Sequence, residues 1–511
     1  MERLSNKKIL IPFKWIVIAA HTILILPILI FFLGWLKWYW GVLFSGILLF
    51  GTFCIIKKDY WNNTDKLELP IFHLILIVAT FGLWVLYSGS CGVGVSNFDT
   101  PWRTAYLRDL IDFNWPVYYP ETNSGLCYYF IFWLVPALFG KIWGLEMAFI
   151  IQWFWMLFII VVSFLLILYF LKDYRTQVLW LICSFIILWS GINILGAILT
   201  DIMGWNSYNG IDLRCLEGYC DAFYNGESFN FLYRCNNDSL NEIYNQLPLI
   251  ICVPLFLQNR KIHNFAFWGI VLFPFSPWGT IGLGILMIID AFHFIAKNSF
   301  KLFLKEAFSI QNICIIFSVF VVFAIFFTAN SRTDATQGGG FGILTFSKFD
   351  LPHIVGLFIF WICEFGIYFA LIWSKYKKDW QFFVLLPVLL LIPFFWAGNT
   401  GGRDFCMNVS LPAIYILMIY MIGYVKDEVM GKTINIKNFI LIICLLAATA
   451  TPIFDWAAKA KIMVAQKSIV VQDDNFYTYS NKNPEDLINQ LVVYPDEKLF
   501  YKLLAKSYKQ N

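Results

Sequence analysis

Residues 147–171 read MAFIIQWFWMLFIIVVSFLLILYFL, an apolar run without a single charged side chain. A helix needs about 20 consecutive apolar residues to cross the hydrocarbon core of a bilayer. This run is long enough to do so, and it ends directly before the charged pair Lys172-Asp173. It therefore predicts a membrane-spanning helix, and it sets the pattern by which the rest of the sequence is interpreted.

The composition of the whole chain has the same character. Of its 511 residues 59% are hydrophobic and only 14% are charged, and the mean hydropathy is +0.68. Soluble domains carry about 25% charged residues and could not bury so much apolar surface. A net charge of +4 is too small to indicate a nucleic acid as partner. The sequence predicts an all-α, polytopic integral membrane protein and excludes disordered and disulfide-rich secreted proteins.

Apolar runs bounded by charges predict about thirteen spans. They lie near 12–33, 40–56, 70–88, 147–171, 177–198, 245–258, 262–275, 279–296, 309–329, 353–374, 380–396, 405–425 and 437–454. Residues 127–143 are also apolar, but counting them as a span would place Lys172 and Arg175 outside, against the positive-inside bias. We predict that they form a helix lying in the outer interface.

The basic residues predict the orientation of these spans. With the N-terminus inside, the inner segments hold nineteen lysines and arginines, whereas the much longer outer loops hold nine. We therefore expect a plasma-membrane protein, bacterial by its Ile-, Lys- and Asn-rich usage, with a cytoplasmic N-terminus and its C-terminus outside. Residues 1–456 form the predicted transmembrane domain, and 457–511 form a small outer-face extension.

Polar residues concentrate on the predicted outer face, in the loops 89–146, 199–244, 330–352 and 397–404. The inner loops are short and basic and contain no glycine-rich cradle for nucleotide phosphates. Chemistry driven by a cytoplasmic nucleotide is therefore not expected. If the protein is an enzyme, its site should lie at the outer surface.

The first outer loop combines acidic and aromatic residues. Asp99 lies about ten residues after a predicted span, and a partly desolvated carboxylate at that depth can act as a general base. Aromatic faces with nearby polar groups suit a carbohydrate. The candidate sugar-binding residues are Trp102, Arg103, Asp109, Asp112, Trp115, Tyr118 and Tyr119. An interfacial aromatic belt with a helix-capping aspartate would give the same pattern.

These features resemble the GT-C class of membrane glycosyltransferases, which includes the protein O-mannosyltransferases and the lipid A aminoarabinose transferases. The shared elements are an acidic residue soon after a span and a Tyr/Pro segment that leads into an interfacial helix. The resemblance implies a sugar donor linked to polyprenyl phosphate, transfer at the outer face, and Asp99 as catalytic base. Two family features are absent, since Thr100 follows Asp99 where a second acid is usual, and no Pro-Pro precedes the interfacial helix.

The short outer loop Gly398-Asn399-Thr400-Gly401-Gly402-Arg403-Asp404 suits an anion. Free backbone N–H groups at a helix start and a guanidinium there can bind phosphate together, and glycines permit close approach. We expect Arg403 to bind the lipid phosphate, as the resemblance also implies. An ordinary contact with a phospholipid headgroup is the alternative. Arg332, in the loop 330–352, is a second candidate for the phosphate.

The remaining outer residues give weaker predictions. The acids of loop 199–244 could help shape an acceptor site but are also typical of a solvated loop. Disulfides are possible among the five outer cysteines, Cys91, Cys127, Cys215, Cys220 and Cys235. No cofactor is predicted. No metal site is predicted either, because a lone aspartate binds a divalent metal poorly, but the participation of a divalent metal is left open.

Two alternatives to the transferase stay open. An O-antigen or capsule polymerase would use outer arginines, here Arg214, Arg234 and Arg332. A transporter or flippase of lipid-linked glycans would need a polar cavity across the membrane that contains Glu364. The expected partners are membrane lipids, a polyprenyl-phosphate-linked sugar donor, and a glycan, lipid or protein acceptor.

Overall fold

The computed structural model describes residues 7–93, 100–205, 231–330, 350–397, 403–466 and 490–508. It also describes the short segments 211–213, 216–221, 223–224, 227–228 and 341–343. Structural statements below refer to these residues.

Helices dominate the chain. In the first half they are α1 (Phe13–Trp35), α2 (Trp38–Ile55), α3 (Ile71–Tyr87), α4 (Thr100–Asp112), α5 (Leu134–Trp143), α6 (Leu145–Leu171), α7 (Thr176–Leu188), α8 (Asn193–Ile202), α9 (Asn236–Glu242) and α10 (Leu249–Gln258). Short 3₁₀ turns lie at Pro120–Thr122, Ile131–Trp133, Leu216–Asp221 and Tyr244–Gln246.

In the second half the helices are α11 (Phe265–Leu272), α12 (Pro277–Lys297), α13 (Phe300–Ala307), α14 (Ile310–Ile315), α15 (Val321–Phe327), α16 (Leu351–Trp361), α17 (Ile367–Tyr376), α18 (Trp380–Leu391), α19 (Arg403–Val409), α20 (Leu411–Tyr424), α21 (Ile436–Ala448), α22 (Ala450–Gln466) and α23 (Leu499–Leu503). Further 3₁₀ turns are Ile262–Asn264, Ile392–Phe394 and Pro495–Glu497, and π-helical turns are Ile56–Tyr60, Ile316–Phe320, Ile362–Gly366 and Val425–Val429.

The strands are short and lie between the helices. They are β1 (Lys8–Pro12), β2 (Lys66–Pro70), β3 (Tyr118–Tyr119), β4 (Ser124–Leu126), β5 (Phe223–Tyr224), β6 (Glu227–Ser228), β7 (Phe341–Ile343), β8 (Phe395–Ala397) and β9 (Leu491–Val493). They form antiparallel pairs, and β3, β4 and β9 make one sheet of three strands.

The predicted apolar runs all correspond to helices, and the protein is an all-α, multi-pass membrane protein. Eight helices of the described residues are long and apolar enough to span a bilayer, or nine if a strongly bent pair counts as one span. The prediction of thirteen spans is therefore not confirmed. Several predicted runs form helices of 10–17 residues, among them α3 and Trp380–Phe394, and these fall short of the length criterion.

One end of the bundle is closed by β1 and β2. These strands pair antiparallel from Lys8↔Pro70 to Pro12↔Lys66, and each one leads through its terminal proline into a helix. Proline suits a helix start because its φ is already helical and its missing N–H would have no helical partner there. Nearby, the buried Asp59 accepts from Asn264 at 2.7 Å and pairs with Lys261 at 2.6 Å.

The C-terminal tail packs at the other end of α1. β9 pairs with β4, and the N–H of Lys506 donates to the carbonyl of Trp35 at 3.0 Å. The side chain of Phe500 packs on Phe31 and Phe326. Since α1 is about 34 Å long, the tail and the first loop share one end of the bundle, away from β1 and β2. Which end of the bundle faces the cytoplasm stays a prediction.

Residues 131–143 form a 3₁₀ turn followed by α5, a stretch too short to cross the membrane as one helix. Gly144 follows with φ at +84°, a value that glycine adopts without strain, and lets α5 fold back on α6. Leu134, Ala137 and Gly140 lie on the buried face of α5. That α5 lies flat in the outer interface stays a prediction.

Two glycines of α12 provide a test of the packing. A Cβ on Gly282 would lie 2.1 Å from the carbonyl oxygen of Val409, whereas a Cβ on Gly284 would meet nothing within 4 Å. We expect Gly282→Ala to lower the free energy of unfolding by about 1–3 kcal/mol through overpacking. Gly284→Ala should stabilise by up to about 1 kcal/mol because alanine is the better helix former. Thermal unfolding of the two purified variants in detergent measures both, and equal midpoints would contradict this packing.

Candidate active site

A polar segment connects the helices that carry the predicted site residues. We call residues 234–246 the polar strap; they comprise α9, the 3₁₀ turn Tyr244–Gln246 and their flanks. The chain bends by 107° between α9 and the helical segment Tyr244–Gln258. A bent helix pair of this kind is found in membrane proteins where irregular backbone is buried in protein or lines a cavity.

The strap holds α4, the helix that directly follows Asp99 in the sequence. Arg103 on α4 is only 6% exposed, and its Nη1 donates to Oδ1 of Asn245 at 2.9 Å. The guanidinium carbon also lies 5.8 Å from the ring centroid of Tyr244. The hydroxyl of Tyr244 accepts from Trp133 Nε1 at 3.3 Å. Arg103 is thereby positioned by the strap rather than directed into solvent.

The next strap residue holds α19, which begins at Arg403. Nε2 of Gln246 donates to Oδ1 of Asn408 on α19 at 3.0 Å, and Ser276 Oγ donates to Oε1 of Gln246 at 2.6 Å. The amide of Asn408 in turn donates to the carbonyl of Asp404 at 2.8 Å, in the first turn of α19. Two adjacent strap residues, Asn245 and Gln246, therefore bind α4 and α19 respectively.

Three predicted site residues have no described side-chain position. Asp99 and Arg332 lie outside the described residues, and the description of Arg403 is limited to its place as the first residue of α19. Their roles as base and phosphate ligands stay predictions. What the described residues add is that α4 and α19, the helices that adjoin Asp99 and Arg403 in the sequence, are bound by adjacent residues of the strap.

Several predicted sugar-binding residues are built into the packing of the first loop. Trp102 is buried, and Asp109 and Tyr119 are both buried and paired, since the Tyr119 hydroxyl donates to Oδ2 of Asp109. Burial and the adjacent Asp109 carboxylate raise the pKa of Tyr119 well above its ordinary value. The pair attaches the β3–β4 hairpin to α4.

Asp112, Trp115 and Tyr118 are more accessible. Asp112 is exposed and pairs with Arg108 at 3.3 Å. Trp115 is half-buried, donates from Nε1 to the carbonyl of Leu110 at 2.7 Å and packs on Trp35. The hydroxyl of Tyr118 donates to Oδ1 of Asn123 at 2.9 Å. These three are the predicted sugar ligands that retain accessible surface.

The acids around the strap are not solvated as an ordinary acidic loop would be. The buried Arg234 donates to the carboxylates of Asp238 and Glu242, the latter at 2.6 Å. Glu217 is 8% exposed and accepts from the backbone N–H of Cys235. Burial, and secondly the charge of Asp238, raise the pKa of Glu217 well above 4.5. Arg234 thus forms ion pairs with two carboxylates. It is therefore poorly placed to bind a substrate, as a polymerase would require.

A small cavity of about 50 Å³ lies beside the strap. Its polar lining comes from Arg234, Asn236, Ser239 and Gln246, and the rest is aliphatic and aromatic. A cavity of this size can hold a few water molecules. Gln246, the strap residue that binds α19, lines this cavity, and Glu364 does not.

The described residues hold no cluster of three or more metal-ligating side chains. Four of the five outer cysteines are described, Cys91, Cys127, Cys220 and Cys235, and all four are buried, with no disulfide between any two of them. The possible disulfides are therefore not formed among them. Sequence reasoning missed the importance of Asn245, Gln246 and Asn408, although polar amides at the start of apolar runs were a signal for the first two.

The burial of the Glu217 carboxyl group can be tested through the pH dependence of stability. Because its pKa is raised on folding, the stability it contributes is complete at acidic pH and is lost as the pH rises through the folded-state pKa. Glu217→Gln keeps an acceptor for the N–H of Cys235 but cannot ionise. We expect the variant to be more stable than the parent by more than about 1 kcal/mol at alkaline pH, with the difference vanishing at acidic pH.

Thermal unfolding across that pH range measures the effect, with the exposed Glu146→Gln as matched control. The control should follow the parent at every pH. A Glu217→Gln profile parallel to that of the parent would show that the carboxyl group is not buried as described.

The chain was also compared with known proteins. No protein-family model, no curated protein and no solved structure matches it.

Proposed function

We propose that the protein is a glycosyltransferase that moves a sugar from a polyprenyl-phosphate carrier to an acceptor hydroxyl at the outer face of the membrane. The observation that carries this proposal is the junction at Asn245 and Gln246. It joins α4, which directly follows the candidate base Asp99, to α19, which begins at the candidate phosphate ligand Arg403. A transferase of this kind needs a base near the acceptor and a cation near the leaving phosphate.

In the proposed reaction Asp99 takes the proton of the acceptor hydroxyl. The acceptor oxygen then forms a bond to the anomeric carbon while the bond from that carbon to the phosphate oxygen breaks, with inversion. The charge that develops on the leaving phosphate would be stabilised by Arg403. Arg103, positioned by Asn245, would contribute further positive potential near the acceptor.

Two described features favour this proposal over the alternatives. Arg234, which a polymerase would use, is buried between Asp238 and Glu242. The cavity beside the strap lies next to the α4–α19 junction and does not extend to Glu364, as a transport route was expected to.

The proposal predicts the effect of replacing the base. Asp99→Asn should lower the rate of sugar transfer by about 10²–10⁴-fold, because an amide cannot accept the proton. Arg403→Gln should lower it by about 10²–10³-fold through loss of charge stabilisation. The assay uses the purified chain in vesicles with polyprenyl-phosphate-linked sugars and measures the release of polyprenyl phosphate.

Glu68→Gln is the matched control, because Glu68 lies at the opposite end of the bundle in an exposed pair with Lys8. It should leave transfer unchanged, and all variants should elute as folded protein. Unchanged transfer by Asp99→Asn would refute the proposed base. Movement of lipid-linked glycan across the vesicle membrane by both the parent and Asp99→Asn would instead support the transporter.

A further inference from the structure

A second polar site lies between two membrane-spanning segments. The span Thr176–Ile202 is interrupted between α7 and α8, at residues 189–192. The span Leu351–Tyr376 is interrupted by the π-helical turn Ile362–Gly366, which contains Glu364. Both irregular segments fall near the middle of their spans. Interrupted helices at mid-membrane depth are where membrane proteins place ion sites.

The two interruptions are joined directly. The N–H of Ile192 donates to the carbonyl of Cys363 at 2.8 Å, and the hydroxyl of Tyr368 donates to the carbonyl of Ser190 at 3.1 Å. These contacts place the Glu364 carboxylate against Gly191. A Cβ on Gly191 would lie 2.3 Å from Oε2 of Glu364, so glycine is required for this approach.

A second oxygen faces the same position. The same Cβ on Gly191 would lie 2.7 Å from Oδ1 of Asn193. Asn193 is only 1% exposed, and its Oδ1 accepts no hydrogen bond from any described residue. Its Nδ2 donates to Oγ of Ser190 at 3.2 Å, which fixes the orientation of the amide and directs Oδ1 away from that hydroxyl. A buried carboxylate oxygen and a buried unpartnered amide oxygen thus converge on one point.

The charge of this site is not balanced by the described side chains. Glu364 is 4% exposed, and no described lysine, arginine or histidine forms an ion pair with it. Its described hydrogen-bond donor is the hydroxyl of Tyr219, at 3.1 Å from Oε1. A carboxylate without a counter-charge at this depth is costly, so it is expected to be neutralised.

We propose that Oε2 of Glu364 and Oδ1 of Asn193 bind a monovalent cation, Na⁺, in the helix interruption at 189–192. Two oxygens of this kind are hard ligands, and the unwound backbone of the interruption supplies carbonyl groups nearby. One carboxylate balances one unit of charge, which favours a monovalent over a divalent ion. Tyr219, which packs on Gly196 and contacts Glu364, covers the site from the 3₁₀ turn Leu216–Asp221. The site is independent of the proposed transferase chemistry.

The test is the stability of the purified full-length chain in detergent as NaCl replaces choline chloride or KCl at constant ionic strength. Binding to the folded state alone raises the unfolding midpoint in a saturable way. We expect Na⁺, and not K⁺ or choline, to raise it. Binding of radioactive ²²Na⁺ to the same samples measures occupancy directly.

The variants separate the site from general salt effects. Glu364→Gln and Gly191→Ala should abolish the response to Na⁺, and Asn193→Ala should weaken Na⁺ binding by at least about tenfold. Gly284→Ala, on an open face of α12, should respond as the parent does. If Glu364→Gln does not fold, the comparison of ²²Na⁺ binding between Asn193→Ala and Gly284→Ala still tests the site, because only the first variant should bind more weakly than the parent.

Three results would overturn the proposal. The first is an equal response of the parent to Na⁺, K⁺ and choline. The second is an unchanged Na⁺ response in Glu364→Gln or Asn193→Ala. The third is that acidic pH stabilises the parent, that this effect is lost in Glu364→Gln, and that the parent binds no Na⁺. The carboxyl group would then hold only a proton.

Discussion

Polar groups inside a helical membrane protein must find their partners within the protein, since lipid offers none. The polar strap meets this constraint at the point where the chain bends by 107°. Its amides bind α4 through Asn245, α19 through Gln246 and α22 through Asn237 and Asn241, whose side chains both donate to Asp455. Helices far apart in sequence are therefore positioned by one short segment.

The same constraint explains how the charges at the strap are compensated. Arg234 between Asp238 and Glu242 compensates charge locally, and Glu217 avoids an unbalanced charge through its raised pKa. The charge of Glu364 is not compensated in this way, because its described partners include a tyrosine hydroxyl and no cationic side chain. Charge at the strap is thus compensated within the protein, whereas at Glu364 we propose that a bound ion compensates it.

The apolar runs predicted where the helices lie, because an apolar run of sufficient length has few alternatives to a helix. The number of complete spans was not confirmed, because several apolar runs form helices of only 10–17 residues, among them α3 and Trp380–Phe394, and an apolar run alone does not show where its helix ends. Helices that are apolar all round also show no face by which their neighbours could be identified. The packing of α5 on α6 needed the structure for this reason.

Sequence reasoning about the site named candidate residues but could not identify their partners. It singled out Arg103 and the acids near it, but the contact from Arg103 to Asn245 joins residues 142 positions apart. It treated Asp109 and Tyr119 as separate sugar ligands, whereas they are buried against each other. Glu364 was recognisable as an intramembrane acid, but its neighbour Asn193 was not, because only the joined interruptions bring them together.

We propose that the strap positions the candidate base Asp99 and the candidate phosphate ligand Arg403 at one site. A cryo-electron microscopy structure of the full-length chain in a lipid nanodisc would test it most directly, through the positions of the Asp99 and Arg403 side chains. The account predicts that both side chains line one cavity, open to the same side of the membrane as the C-terminal tail, with Asn245 and Gln246 beneath it. Side chains that point to separate surfaces of the protein would contradict it.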